Sequence, residues 1–404
     1  MSIFYLIFIL LTVYFSYRYD NIEGYNSHKQ HRLWLICGYM ICLTGFSYGL
    51  GGDKFIYMEE FEQYPSDISE VGDYIWMQFM LRGQMPFWIL VNLFGKIVFN
   101  SFYFVQLVES ATINIAVCYI VSKYTHRYFL FLLIYFFTLQ YFIFNTEVMR
   151  EGFAISFALI GIHKWICGKK WLFLLMFPIA FLFHISAVVM LLFPFMRFRI
   201  SWKALTIAFF AAFCIWLFSD FVLGKVMVSV LGGMGAIVQK VLFYSIQASS
   251  IFGFLRSAIT YLIFPFVIMY SVTTLEPSDD MRKRKEKMIS YMLVLGILAS
   301  SLAGFDRFYN YVQIFYLVML TDFIYTLFRV KTHFVIRTGV LAGTVFLILL
   351  RYMTPYKITN TYRYDFYYPY TCILYEDQNV YFRVIAHTES LIKEEKDNNV
   401  REIE

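Results

Sequence analysis

The sequence predicts an all-α polytopic membrane protein of about ten transmembrane helices, with a re-entrant or short-helix hairpin over 171–195. Three observations carry this prediction. Hydrophobic residues make up 60% of the chain and charged residues 15%, and the mean hydropathy is +0.60, well above the balance of an ordinary soluble domain. The apolar residues fall in blocks of roughly 15–25, the length a helix needs to cross about 30 Å of hydrocarbon. The basic residues recur in alternate loops, as the positive-inside rule requires.

In chain order, spans are expected near 3–17, 33–50, 101–122, 128–145, 152–167, 203–224, 252–275, 288–304, 308–329 and 338–352. The N-terminal run MSIFYLIFILLTVYF has no basic n-region and no small-residue cleavage site, so it reads as a retained first span. The segment 87–99 is too short to span and is expected in the outer interface or dipping into it. Residues 171–195 are flanked by Lys169 and Lys170 before and by Arg197, Arg199 and Lys203 after. Both flanks therefore read as cytoplasmic, and so short a stretch at about 1.5 Å per residue cannot cross twice. A hairpin turning near Phe183 and His184 resolves the conflict.

The basic loops set the orientation. Arg18, Lys29 and Arg32, then Lys123 and Arg127, then Lys169 and Lys170, the run Arg282–Lys287 and the group Arg329, Lys331 and Arg337 all read as cytoplasmic. The loop 51–86 holds Lys54 and Arg82 against Asp53, Glu59, Glu60, Glu62, Asp67, Glu70 and Asp73, so it reads as extracytoplasmic. Residues 1–352 form a single transmembrane domain in this reading, and 353–404 an acidic extracytoplasmic tail.

Other classes are excluded by placement. The net charge of +6 comes from short loops, not from an aromatic-interleaved groove, so no nucleic-acid partner is expected. The six cysteines (Cys37, Cys42, Cys118, Cys167, Cys214, Cys372) include no C-x-x-C pair, so neither a disulfide framework nor a zinc site is expected. Aromatics are 21% of the chain, many at block edges where amphipathic rings favour the interface.

Charges at or inside spans cost roughly 2.5–3.5 kcal/mol on insertion scales and are the informative positions. In GLGGDKFIYMEEF, Gly51 and Gly52 free the backbone just before Asp53, Lys54 and Tyr57, either for approach to a ligand or as a flexible exit turn. Arg150 opens the fifth span on the outer face, against the usual charge bias. It suits a bidentate phosphate contact at a helix N-terminus, or it is neutralised by Glu147 and Glu151. Asp306 and Arg307, followed by Tyr309 and Tyr311, read as a site or as a local ion pair in an aromatic belt. Arg256 near the outer end of its span either snorkels to water or joins the other arginines. His184, with Ser186 two residues on, reads as a packed histidine or as a proton acceptor. Glu109 and Asp322 lie in apolar blocks and take helix-face or interfacial readings.

Taken in order, G-G-D-K-F-I-Y (51–57), M-R-E-G-F-A-I-S-F-A-L (149–159), F-H-I-S-A (183–187) and D-R-F-Y-N-Y (306–311) resemble the EpsG-type branch of the Wzy polysaccharide polymerases, over about residues 30–330. Such families usually carry an arginine shortly before the G-x-D element; here Ser47 and Tyr48 stand there, and Lys54 is the candidate replacement. The resemblance implies an enzyme of the bacterial cytoplasmic (inner) membrane with its active site on the extracytoplasmic side. It implies transfer of a growing glycan from undecaprenyl diphosphate to a lipid-linked repeat unit of an O-antigen, capsule or exopolysaccharide. Arg150, Arg256 and Arg307 are then assigned to the diphosphate, with Lys54, Tyr57 and Tyr311 as further substrate contacts and Asp53 or His184 as the base. Membrane lipid, a chain-length regulator and a repeat-unit flippase are its candidate partners.

Two other readings use the same features: a glycolipid transporter or flippase, which asks for an intramembrane acid and paired halves, and a membrane O-acyltransferase acting on surface glycans, which would use His184. No acidic cluster has metal-ligand spacing, so no metal or cofactor is expected. Polymerisation is therefore expected to persist in chelator; a strict loss restored by magnesium would overturn this.

Overall fold

A run of apolar blocks in hydrocarbon has no water to pair its backbone, so each block must close its own hydrogen bonds as helix. The computed structural model shows this outcome. It describes residues 3–24, 26–196, 200–219, 250–302, 304–329, 338–339, 342–343, 353, 355–356, 361–374 and 383. Among these, strand pairing is confined to Pro355–Tyr356 against Thr361–Tyr362 and a bridge between Ser47 and Cys372.

The helices are α1 Ile3–Tyr19, α2 Ser27–Gly45, α3 Asp53–Glu62, α4 Val71–Arg82, α5 Pro86–Phe94, α6 Phe102–Tyr124, α7 Tyr128–Phe137, α8 Gln140–Phe142, α9 Met149–Ile166, α10 Lys170–Phe183 and α11 Trp202–Leu217. They continue with α12 Ile251–Thr274, α13 Asp279–Ser301 and α14 Asn310–Arg329.

By length and composition α6, α12 and the run Phe305–Phe328 can each cross a membrane, and α7 with Gln140–Glu147 makes a fourth if that bent pair is one span. The ten spans of the sequence reading are thus not all matched by helices of spanning length and apolarity. The reason differs by element. α1 has 17 residues, while α2 and α13 begin inside charged stretches that dilute their apolar content. Most of 338–352 and the end of 203–224 lie outside the described residues. The 128–145 block breaks at Leu139, a non-glycine residue at φ 62°, and the two pieces meet at 81°. The loop 51–86 is not open chain, because it folds as α3 and α4. Segment 87–99 forms a short apolar helix, α5, extended by a π-helical turn Gly95–Phe99.

The chain divides into two compact units, one of residues 1–71, 90–156 and 324–404, the other of 72–89 and 157–323. In the first unit two ends are defined by contacts. At one end Asp20 accepts hydrogen bonds from the amides of Phe129 and Leu130, capping the exposed donors at the start of α7. There Arg127 donates to the Asp20 carbonyl and stacks on Tyr325, and Lys29 donates to the carbonyls of Ile22 and His126. At the other end of α1, Tyr5 donates to the Tyr367 carbonyl. Nearby, Tyr48 and Gly51 donate to Thr371 and Phe366, and the buried Arg383 donates to the carbonyls of Gly49, Asp365 and Pro369. Residues 363–373 therefore strap the G-L-G-G turn. α2, at 19 residues, separates these ends by about 28 Å.

In the second unit, α10 stops at an extended His184 and a 3-10 helix, Ile185–Phe195, follows. Both arms meet α9: a Cβ on Gly161 would fall 3.0 Å from Met176 on one arm and 3.0 Å from Met190 on the other. The expected short-helix hairpin, with its turn at Phe183 and His184, is present.

Gly51 sits at φ 80°, and a Cβ there would lie 2.5 Å from Thr146 Oγ1. The backbone freedom thus serves a close approach to Thr146 of the chain itself. Gly51→Ala is expected to lower stability by about 1–3 kcal/mol, read as an earlier thermal transition of the purified chain in detergent; an unshifted transition would contradict this packing.

Candidate functional site

At the end of α2 the last carbonyls have no further helical turn to pair them, and the Thr44 carbonyl accepts from Ser47 Oγ at 2.8 Å. Gln106 of α6, fully buried, meets this need: its Nε2 donates to the carbonyls of Thr44, Gly45 and Ser47 at 2.7, 2.9 and 2.9 Å. The chain then turns through Gly49–Gly52 into α3, which returns Lys54 to the same place. Lys54 is fully buried and donates to Ser47 Oγ at 2.7 Å. The residue standing where an arginine was expected is therefore contacted by the very lysine that was its candidate replacement. Burial brings the Lys54 amine down to about 7, with the charge of Glu109 acting in the opposite direction.

One turn along α3, Tyr57 shares a face with Asp53. Its ring lies 5.4 Å under the Arg150 guanidinium, and its hydroxyl donates to the Glu147 carbonyl at 3.3 Å. Burial pushes the Tyr57 phenol up to about 12, with Arg150 opposing and Asp53 adding to the effect. Tyr57 is therefore a donor across the physiological range. Glu147, one of the neighbours expected to neutralise Arg150, pairs instead with Arg363 at 3.2 Å and accepts from Tyr367. The half-buried Arg150 stands in the first turn of α9, where backbone donors and the helix dipole favour an anion.

Beneath this end lies a polar interior that sequence reasoning missed. Thr44, Ser110, Asn114, Tyr141 and Asn145 are fully buried and joined: Thr44 to Ser110 at 2.7 Å and to Asn145 at 3.0 Å, Asn114 to Asn145 at 2.7 Å, and Tyr141 to the Met40 carbonyl at 2.7 Å. Glu109, read as a helix-face residue, is 0% exposed, and neither carboxylate oxygen has a hydrogen-bond partner among the described residues. Its place is made by Gly152 of M-R-E-G, where a Cβ would fall 2.5 Å from Glu109 Oε1 and 2.8 Å from the Phe144 carbonyl. The signal in the sequence was an acid among apolar residues, which is costly enough to need a reason.

In the second unit the F-H-I-S-A and D-R-F-Y-N-Y motifs meet. His184 Nδ1 lies 2.5 Å from Ser186 Oγ, which lies 2.8 Å from the hydroxyl of the buried Tyr311. This linear chain orients the imidazole and can pass a proton along it. Ser186 was noticed in the sequence only as a neighbour. Arg256 on α12 and Arg307 in the 3-10 turn Phe305–Tyr309 are both exposed. Asp53, Lys54, Tyr57 and Arg150 thus come together in the first unit; His184 and Tyr311 are joined in the second. No group of three or more His, Cys, Asp or Glu among the described residues is placed to hold a metal ion.

Apolar helices enclosing buried polar groups, with cationic and phenolic side chains gathered at one end of the first unit, mark a helical membrane protein. More particularly, residues 32–372 match the model of the EpsG family, and the chain belongs to that family. It is a family of Wzy-like polysaccharide polymerases and glycosyltransferases, which implies a glycosyltransferase-type membrane enzyme. No curated protein and no solved structure matches the chain.

The link between the two second-unit motifs has a measurable coupling. Ser186→Ala and Tyr311→Phe are each expected to cost about 1 kcal/mol, and the double variant roughly 1 kcal/mol less than their sum. Thermal or denaturant unfolding of the four proteins in detergent reads this; strict additivity would refute the contact.

Proposed function

We propose that the protein is a polysaccharide polymerase that transfers a growing glycan from an undecaprenyl diphosphate carrier to a lipid-linked repeat unit at the outer face of the cytoplasmic membrane. The observation that carries this reading is the placement of Arg150: a guanidinium at a helix N-terminus, over a phenol, with the neighbouring carboxylate Glu147 held by Arg363. A diphosphate suits that position, since it accepts bidentate bonds from the guanidinium and is favoured by the helix end.

Sidedness supports the same reading. The end of the first unit that holds Lys29 and Arg127 is the basic one, and the positive-inside rule assigns it to the cytoplasm. The G-G-D end, about one α2 length away, then faces outward, together with residues 363–373. A ten-span topology with both termini outside accords with these contacts.

In the reaction, the acceptor hydroxyl oxygen attacks the anomeric carbon and the bond from that carbon to the diphosphate oxygen breaks. The diphosphate leaves with the electron pair, stabilised by Arg150, and the hydroxyl proton passes to a carboxylate or imidazole. Asp53, half-exposed in the first turn of α3, is the base candidate in the first unit; His184, oriented through Ser186, is the candidate in the second. Within the second unit, Arg256 and Arg307 are exposed cations suited to an anionic group.

The transporter reading gains one observation, the buried Glu109, which is the intramembrane acid it asks for. The family, one of polymerases and glycosyltransferases, favours glycosyl transfer.

Arg150→Ala is expected to lower polymerisation at least ~100-fold and to accumulate single repeat units on lipid, with Arg150→Lys intermediate. Gel analysis of lipid-linked glycans, with membrane insertion checked by blotting, reads this. Unchanged polymer length in Arg150→Ala would remove the diphosphate assignment.

A further inference from the structure

Arg150 has an acid three residues before it, and that acid is engaged elsewhere. Glu147 ends the π-helical turn Ile143–Glu147, and α9 opens two residues later. Tyr57 touches both: its hydroxyl donates to the Glu147 carbonyl at 3.3 Å, and its ring lies 5.4 Å from the Arg150 guanidinium carbon. A carboxylate so near an arginine is its natural partner. Instead both oxygens of Glu147 are taken by residues 363–373. Oε2 accepts from Arg363 at 3.2 Å, and Oε1 accepts from the Tyr367 hydroxyl.

That segment is anchored on several sides. Phe366 and Tyr367 are buried, the Tyr367 ring stacks on Phe142 at 4.9 Å, and the Tyr367 carbonyl accepts from the buried Tyr5 hydroxyl at 3.0 Å. Gly51 donates to the Phe366 carbonyl at 3.0 Å, Tyr48 to Thr371 at 2.9 Å and Ile373 to Phe46 at 3.0 Å. Arg383 donates from all three of its side-chain nitrogens, to the carbonyls of Asp365, Gly49 and Pro369 at 2.9, 2.9 and 2.7 Å. These bonds fix Arg363 and Tyr367 relative to both the G-G-D turn and the start of α9.

We propose that Arg363 and Tyr367 are positioning residues for the anion site: by holding both oxygens of Glu147 they withhold that carboxylate from Arg150 and leave the guanidinium to a ligand anion. Residues 363–373 then act as a strap whose docking keeps the site competent. Release of Glu147 would set a resident carboxylate against Arg150, in competition with the ligand. The division works because Arg363 gives Glu147 a guanidinium of the same kind as Arg150 and Tyr367 adds a second donor, so each oxygen already has a partner. Glu60, three residues after Tyr57 on α3 and so on the same face, is a further carboxylate in the field of Arg150, and it is present in every variant of the test. The inference deepens the proposed diphosphate site and rests on it only for the identity of the anion.

The test follows Arg150 directly. The full chain, isotope-labelled at arginine and held in lipid nanodiscs, is read by NMR, with the Arg150 Nε–H signal identified by its loss in Arg150→Lys. In Arg363→Ala that signal is expected to move as Glu147 pairs with Arg150, and in Arg363→Ala/Glu147→Gln to return toward its wild-type position; Arg363→Lys is expected to leave it near that position. A strap that acted only through its shape would not be rescued by removing the charge of Glu147. Should Arg363→Ala not fold, Tyr367→Phe, which removes one hydroxyl, is read in its place with the same shift and the same rescue. A signal unmoved in the single variant, or moved and not returned in the double variant, overturns the inference. Binding of geranylgeranyl diphosphate is measured on the same samples and is expected to be ~10-fold weaker in Arg363→Ala and recovered in the double variant; where the wild-type chain binds it, unchanged affinity in Arg363→Ala also overturns the inference. No binding to the wild-type chain counts against the diphosphate reading, while the Arg150 signal still decides the role of Arg363 and Tyr367.

Discussion

The amide of Gln106 closes the end of α2. Without it, the Gly45 and Ser47 carbonyls would lose their amide donor, while Thr44 would keep the amide and hydroxyl of Ser47, and a buried carbonyl left unpaired is costly. With those carbonyls satisfied, the chain can leave α2 inside the protein, turn on glycines and return Lys54 to Ser47. The G-G-D turn, the first helix of the following segment and the covering strap of residues 363–373 all build on that closed helix end. A side-chain amide on a neighbouring helix thus does what a capping residue or solvent does in a soluble protein.

Around this point the first unit gathers charge in a graded way. Arg150 and Glu147 lie part-exposed at the end; Lys54 lies fully buried; Glu109 lies within the α6 span. Each is supported differently: Arg150 by an aromatic face, Glu147 by Arg363, Lys54 by a hydroxyl, Glu109 by space that a glycine leaves open. The second unit uses a neutral device instead, a histidine, a serine and a tyrosine joined in a line. On the proposed reading, the cations would serve a diphosphate leaving group and the histidine or a carboxylate the acceptor hydroxyl.

Much of the helical pattern was legible because hydropathy and span length follow from hydrocarbon thickness. α1, α6, α12 and the hairpin at His184 fall where apolar blocks and flanking charges put them. The break at Leu139 was not legible, because a leucine at positive φ is disfavoured locally and is held there by packing of the bent pair. Of the site, the residue types in the four motifs were readable, but their partners were not. Glu147 was expected beside Arg150 and is bound to Arg363, more than two hundred residues away along the chain. Gly51 was read as room for a ligand or as a flexible exit turn, and its missing side chain makes room for Thr146.

The sequence by itself determined that this chain is a helical membrane protein, which stretches are apolar, and which loops carry the basic charge. Those properties depend on composition and on spacing along one helix, both local. It also supplied the motifs that mark the family. The tertiary structure decided which of the costly groups face each other: Lys54 toward Ser47, Glu109 into the gap beside Gly152, Ser186 between His184 and Tyr311. Such placements join residues far apart in the chain, and they are set by the packing of whole helices in a dry interior, where burying a polar group without a partner is costly.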